Sequence, residues 1–183
     1  IYQAINEMLW DRYRKGLINK RLLRSKRFYD TLVHFGIEDE YLSERIGDAY
    51  IDLSPYKTAV SPNCMEILDY LAGRYRMHIL TNGFEEVQHI KLERSGLSKY
   101  FDVVITSERA GARKPDPVVF NFAFSETKGS IGDSIMIGDD LRTDIQGARN
   151  IFMDHVYYNP KKVKHEEDLF HEIDDLIDLK HLL

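Results

Sequence analysis

The stretch that most narrows the fold is residues 133–148, DSIMIGDDLRTDIQGA. Ser134-Ile135-Met136-Ile137 is a short apolar run between polar residues, the pattern of a buried strand. Gly138 follows, then Asp139 and Asp140, then Asp144 at the start of a helical pattern that includes Ile145 and Ala148. Two adjacent carboxylates therefore end a strand, and a third lies one helical turn on. Open α/β sheets bind ligands at the carboxyl ends of their strands. Three crowded carboxylates repel one another, and a cation relieves this; an all-oxygen ligand set suits Mg²⁺. Taken alone, the same residues also fit a plain turn in which Asp139 and Asp140 bend the chain and Asp144 caps a helix.

Upstream, residues 1 to about 58 read as helices without a strand. Ile5, Met8, Leu9 and Trp10 recur at helical spacing, and Gly16 ends the first helix. A second spans about 19–35 and a third about 39–53, closed by Pro55. From Arg12 to Arg27 the chain carries lysines and arginines with no acidic residue among them. This reads as a solvated helical face, or alternatively as an electropositive wall for an anionic substrate.

From Pro62 the texture changes to alternating helix and strand. Ser61 is expected to cap a helix that Pro62 begins and Gly73 ends. Strands are expected at 77–80, 102–106, 134–137 and 153–158, with a short edge strand at 169–173. Helices are expected at about 85–94 and 117–127, after Asp144, and at 176–183. This alternation implies an α/β fold, a Rossmann-like core of parallel sheet with helices on both faces. The small all-helical unit is expected at 1–58 and the α/β core at 59–183.

Composition excludes several classes. The 183 residues are 43% hydrophobic and 30% charged with a net charge of −5, which fits a soluble globular protein and argues against a general nucleic-acid or membrane-surface binder. Cys64 is the single cysteine, so no internal disulfide forms and a reducing cytoplasm fits. No apolar run reaches membrane-spanning length.

Two further strand ends carry polar chemistry. Thr81-Asn82-Gly83 lies between the 77–80 strand and a helix, where a hydroxyl, an amide and free backbone N–H groups suit an anion. Asn82 with Glu85 also fits an ordinary capping box. Lys114-Pro115-Asp116-Pro117 follows the 102–106 strand. Pro115 holds Lys114 extended, and Asp116 is placed to cap the helix that Pro117 begins. A phosphate donor set, a cation and metal-binding carboxylates thus converge on one sheet edge.

The motifs ILTNG (79–83), KPDP (114–117) and IGDDLRTD (137–144), in this order, resemble the haloacid dehalogenase-like (HAD) superfamily of aspartyl-phosphate hydrolases. Residues 1–58 look like that family's helical cap, and the stretch 9–28 with the TNGF turn looks most like its bacterial pyrimidine 5′-nucleotidase branch. The resemblance implies a Mg²⁺-dependent phosphomonoester hydrolase acting on a small-molecule substrate. Thr81, Asn82, Gly83 and Lys114 would bind the phosphoryl group, and Asp139 would ligate Mg²⁺. Asp140 would assist, and Asp144 would orient Lys114 or a metal-bound water.

One departure stands out: no apolar strand followed by the family's Asp-x-Asp pair is present in the 183 residues. The expectation is that a segment before Ile1 supplies the first core strand, the nucleophilic aspartate, the general acid/base aspartate and the start of the cap. Three rivals are set beside the phosphatase reading. A haloalkanoate dehalogenase would not need the Asp139/Asp140 pair, while a phosphosugar phosphatase or mutase differs only in substrate. A non-catalytic phosphate- or Mg²⁺-binding module would lack the nucleophile altogether.

Overall fold

A computed structural model describes residues 1–183, which divide into two compact units, Ile1–Lys57 and Thr58–Leu183. The first holds three helices, α1 (Tyr2–Arg14), α2 (Lys20–His34) and α3 (Glu40–Leu53). Asn19 and Asp39 cap α2 and α3 by accepting from the amides of Leu22 and Leu42, at 2.9 and 2.8 Å. Leu9, Tyr13 and Leu23 form the buried seam. Gly47 is small for a reason: a Cβ there would lie 2.9 Å from the Arg24 carbonyl, so α2 and α3 pack backbone to backbone.

Much of the basic run is tied up within this unit. Lys26 pairs with Asp30 at 2.8 Å, Arg24 with Asp48 at 3.2 Å and Lys15 with Asp11 at 2.7 Å. Arg27 is buried, donates to Asn6 and lies over the Tyr50 ring. Three cations of the basic run are thus paired with carboxylates of the helical unit itself.

The second unit contains α4 (Cys64–Leu71), β1 (His78–Thr81), α5 (Glu85–Arg94), β2 (Val103–Thr106) and the short α6 (Ser107–Ala110). It continues with α7 (Pro117–Thr127), β3 (Ile135–Gly138), α8 (Gln146–Asn150), β4 (Asp154–Tyr158) and β5 (His171–Ile173). All strand pairs are parallel: β1 with β2, and β3–β4–β5 in that order. Ile67 and Leu71 of α4 pack with Val156, Ile173 and Leu179 in one core. Burying each such side chain contributes about 1.5–3 kcal/mol.

Burial is uneven across the strands. In β4, flanked on both sides, His155, Val156 and Tyr157 are buried. In β1 and β3 every residue is only half-buried, and each strand has one edge without a hydrogen-bonded neighbour. A parallel strand with neighbours on both edges and helices on both faces is normally buried along its length.

Local details depart from the sequence expectation. Asn63, not Ser61, precedes α4, in the left-handed region at φ 57° and without a side-chain cap. Its amide reaches Asp175 instead, at 2.8 Å. The end of the chain forms a short 3₁₀ turn, Leu176–His181, rather than a full α-helix, with Asp175 as its cap. Phe152, in the turn before β4, has φ 58° and is 93% exposed. A bulky residue in this region costs about 1–2 kcal/mol, and here no packing offsets it. Phe152→Gly is expected to raise unfolding stability by about 0.5–1 kcal/mol in urea titrations, net of glycine's entropy in the unfolded chain. An unchanged or lowered midpoint would show that the turn holds the ring for another reason.

Candidate active site

Lys114 is the centre of the site. It lies in the loop between α6 and α7 and is buried. Its Nζ donates to the Leu80 carbonyl of β1 at 2.6 Å and pairs with Asp144 Oδ1 at 2.6 Å. One ammonium group therefore joins the carboxyl end of β1 to the turn that follows β3. Its backbone is fixed as well. The Lys114 amide donates to Asn82 Oδ1 at 2.9 Å, and Asn82 Nδ2 donates to the Lys114 carbonyl at 3.0 Å. Asp116 caps α7 through the Val118 amide at 2.9 Å, as the sequence pattern suggested.

Asn82 is thus a clamp on Lys114 and does not cap α5. The residue before α5 is Phe84, without a side-chain cap, and Glu85 accepts from the Thr106 hydroxyl instead of closing a capping box. The Thr81 hydroxyl accepts from the Gly83 amide at 2.9 Å. Its own proton stays available to donate, which is what a phosphoryl oxygen at that strand end would need.

The three aspartates do different work. Asp140 caps the next turn by accepting from the Arg142 and Thr143 amides, at 2.8 and 3.2 Å. The turn Leu141–Ile145 is π-helical, closed by the Ile145 amide on the Asp140 carbonyl at 3.3 Å. That wider turn is common at functional sites. Here it carries the Asp144 carboxylate back beneath the strand end, where Oδ2 accepts from the Asp140 amide at 3.2 Å while Oδ1 meets Lys114. Gly138 makes the space: a Cβ there would collide with the Asp144 carboxylate. Gly147 does the same for the loop, since a Cβ would lie 2.5 Å from the Phe120 ring and 3.2 Å from Pro115 Cα.

Asp139 is left with no donor from another residue. Burial pushes its carboxyl pKa up, and the charge of Asp144 adds to that. No three His, Cys, Asp or Glu side chains gather to hold a metal ion. The cause is the capping role of Asp140 and the ion pair of Asp144. Mg²⁺ nonetheless fits what remains, because it commonly takes only one or two protein carboxylates and completes its shell with water and substrate oxygens.

Comparison with known proteins agrees with this geometry. A sequence profile of haloacid dehalogenase-like hydrolases matches residues 16–157. The chain belongs to that family. It is 34% identical over 151 residues to the pyrimidine 5′-nucleotidase YjjG of Escherichia coli (81% of this chain, 65% of the relative). It is 32% identical over 163 residues to the pyrimidine 5′-nucleotidase PynA of Streptococcus pneumoniae (87% of this chain, 67% of the relative). The chain thus spans about two thirds of these relatives' length. Among solved structures, the magnesium-bound putative HAD-hydrolase YfnB of Bacillus subtilis superposes with a TM-score of 0.90 at 26% identity, covering 99% of this chain and 80% of that one. No helix of the chain is long and apolar enough to cross a membrane.

One neighbour of this HAD-type site escaped the sequence reading. Tyr157 of β4 stands opposite Gly138 and Glu172 in the sheet register. Burial raises its phenol pKa, and the charges of Glu172, Asp139 and Asp140 raise it further. Strand alternation alone cannot distinguish such a residue from a core tyrosine.

The Lys114–Asp144 pair allows a stability test. Lys114→Met leaves a buried carboxylate without its partner and is expected to destabilise by about 3–5 kcal/mol. Adding Asp144→Leu should recover more than half of that loss in urea unfolding. Strictly additive losses would mean that the two groups are not energetically coupled.

Proposed function

We propose that the chain is the larger part of a cytoplasmic, Mg²⁺-dependent phosphomonoester hydrolase. It would work through an aspartyl-phosphate, with nucleoside monophosphates as the favoured substrates. The observation that carries this reading is the buried Lys114 ammonium, held by two acceptors with its backbone clamped by Asn82, at the strand end where Thr81 keeps a hydroxyl proton to donate. Phosphoryl transfer needs charge neutralisation and positioning above all, and a fixed cation in a dry site supplies both. The names of the two nucleotidase relatives support the substrate class.

In this reading Lys114 neutralises the transferring phosphoryl group, and Thr81 donates to one of its oxygens. The Asn82–Gly83 backbone lies beside that group, and Asn82 keeps Lys114 in place. Asp139 holds the metal, Asp144 aligns Lys114, and Asp140 shapes the turn. Bound Mg²⁺ would add neutralising charge and orient a phosphoryl oxygen. The unpaired, half-buried edges of β1 and β3 support a further strand pairing there and ending in the nucleophilic aspartate. Residues 1–58 are read as the helical cap and 59–183 as the core.

The direct test is phosphate release by the full gene product from nucleoside monophosphates and sugar phosphates, with Mg²⁺ or with EDTA. Metal-dependent release, fastest from nucleoside monophosphates, is expected. Lys114→Ala should lower kcat by about 100- to 1,000-fold. Release indifferent to EDTA, or a mild effect of Lys114→Ala, would overturn the reading. Faster turnover of sugar phosphates would reassign the substrate.

Asp139 gives an independent check. Its folded pKa is raised, so its charged form lowers stability above the pKa of the unfolded carboxyl, and that penalty disappears in acid. At neutral pH in EDTA, Asp139→Asn should therefore be at least as stable as the wild type. It should also lose the stabilisation by Mg²⁺, about 2.7 kcal/mol at a hundredfold excess over Kd. Equal Mg²⁺ stabilisation of both proteins would remove Asp139 from the metal site.

A further inference from the structure

Gly83 has no positive φ to explain it, unlike the glycines that end helices here. What a side chain there would meet is the end of Gln88. A Cβ at Gly83 would collide with Gln88 Nε2, and would lie 2.9 Å from Gln88 Cδ and 3.1 Å from Thr81 Oγ1. The amide of Gln88 thus sits directly over the Thr81–Gly83 turn, one helical turn into α5. This side-chain amide is half-buried and makes no hydrogen bond within the chain, whereas the backbone amide of Gln88 donates to the Phe84 carbonyl at 3.1 Å. The Thr81 hydroxyl beside it has a proton to donate. A side-chain amide laid against a backbone turn, unbonded, next to a second unused donor, is an arrangement that an incoming acceptor completes.

We propose that Gln88 is a phosphoryl-contacting residue, whose amide N–H donates alongside Thr81 to an oxygen of the substrate's phosphoryl group. The proposal rests on the hydrolase reading above and assigns a residue that reading does not use. Two simpler roles fit the amide less well. As a helix-surface residue it would point to water rather than lie against the Thr81–Gly83 turn. As a brace for the turn it would hydrogen-bond the turn, and it does not.

The test uses the full gene product with Mg²⁺ and a nucleoside monophosphate, and inorganic phosphate as product inhibitor. Gln88→Met fills the same volume without a donor, and Gln88→Glu keeps the shape but places a negative charge at the phosphoryl. Gln88→Met should lower kcat/KM about 10- to 100-fold and raise the inhibition constant of phosphate, with Tm unchanged. Gln88→Glu should lose more, because it adds repulsion. Wild-type turnover with both variants near normal would overturn the proposal and leave the hydrolase reading standing. A loss that tracks a fall in Tm would make Gln88 structural. A loss for some esters only, with phosphate inhibition unchanged, would put the amide on the leaving group. Both of these outcomes reject the phosphoryl contact. No release by the wild type from any ester would reject the hydrolase reading, and this proposal with it.

Discussion

A buried ammonium ion must be matched by acceptors or the fold loses several kcal/mol. Lys114 meets that requirement with two acceptors from different parts of the sheet, the Leu80 carbonyl and the Asp144 carboxylate. Much of the site geometry follows from this. Asn82 must face the Lys114 backbone, so it cannot cap α5. Asp144 must reach back beneath the strand, so the turn after β3 widens to a π-helical one and residue 138 has no side chain. Asp140 holds that turn by its backbone amides. With Asp140 and Asp144 so engaged, Asp139 is the carboxylate that receives no donor from another residue.

The same logic explains how the three carboxylates are accommodated side by side. Each of the other two carboxylates has its own donors, while the ionised form of Asp139, which stays in contact with solvent, is disfavoured by partial desolvation and by the charge of Asp144. A divalent cation would reverse that preference.

Much of this was legible in the sequence, for physical reasons. Apolar runs bounded by glycine and aspartate marked the strands, because strands of a parallel sheet lack polar alternation. Asp116 was a recognisable cap, since capping is a local hydrogen bond. The convergence of Thr81, Lys114 and Asp144 was legible from strand-end placement. The uses of Asn82, Glu85 and Asp140 were not, because each chooses between a local cap and a distant partner, and only packing decides. Gln88 and Tyr157 were missed for a related reason: their neighbours are set by the turn over Gly83 and by the sheet register, and neither leaves a local pattern. The ion pairs of the helical unit's cations, Arg24 with Asp48 and Lys26 with Asp30, were likewise not legible from the basic run alone.

The most direct test of the central claim, that Lys114 organises a phosphoryl site, is a crystal structure of the full gene product with Mg²⁺ and vanadate. The account predicts Mg²⁺ on the Asp139 carboxylate, and a vanadate oxygen within hydrogen-bond reach of both Lys114 Nζ and Thr81 Oγ1. Vanadate bound elsewhere, or Lys114 still closed on Leu80 and Asp144 with no oxygen beside it, would contradict it.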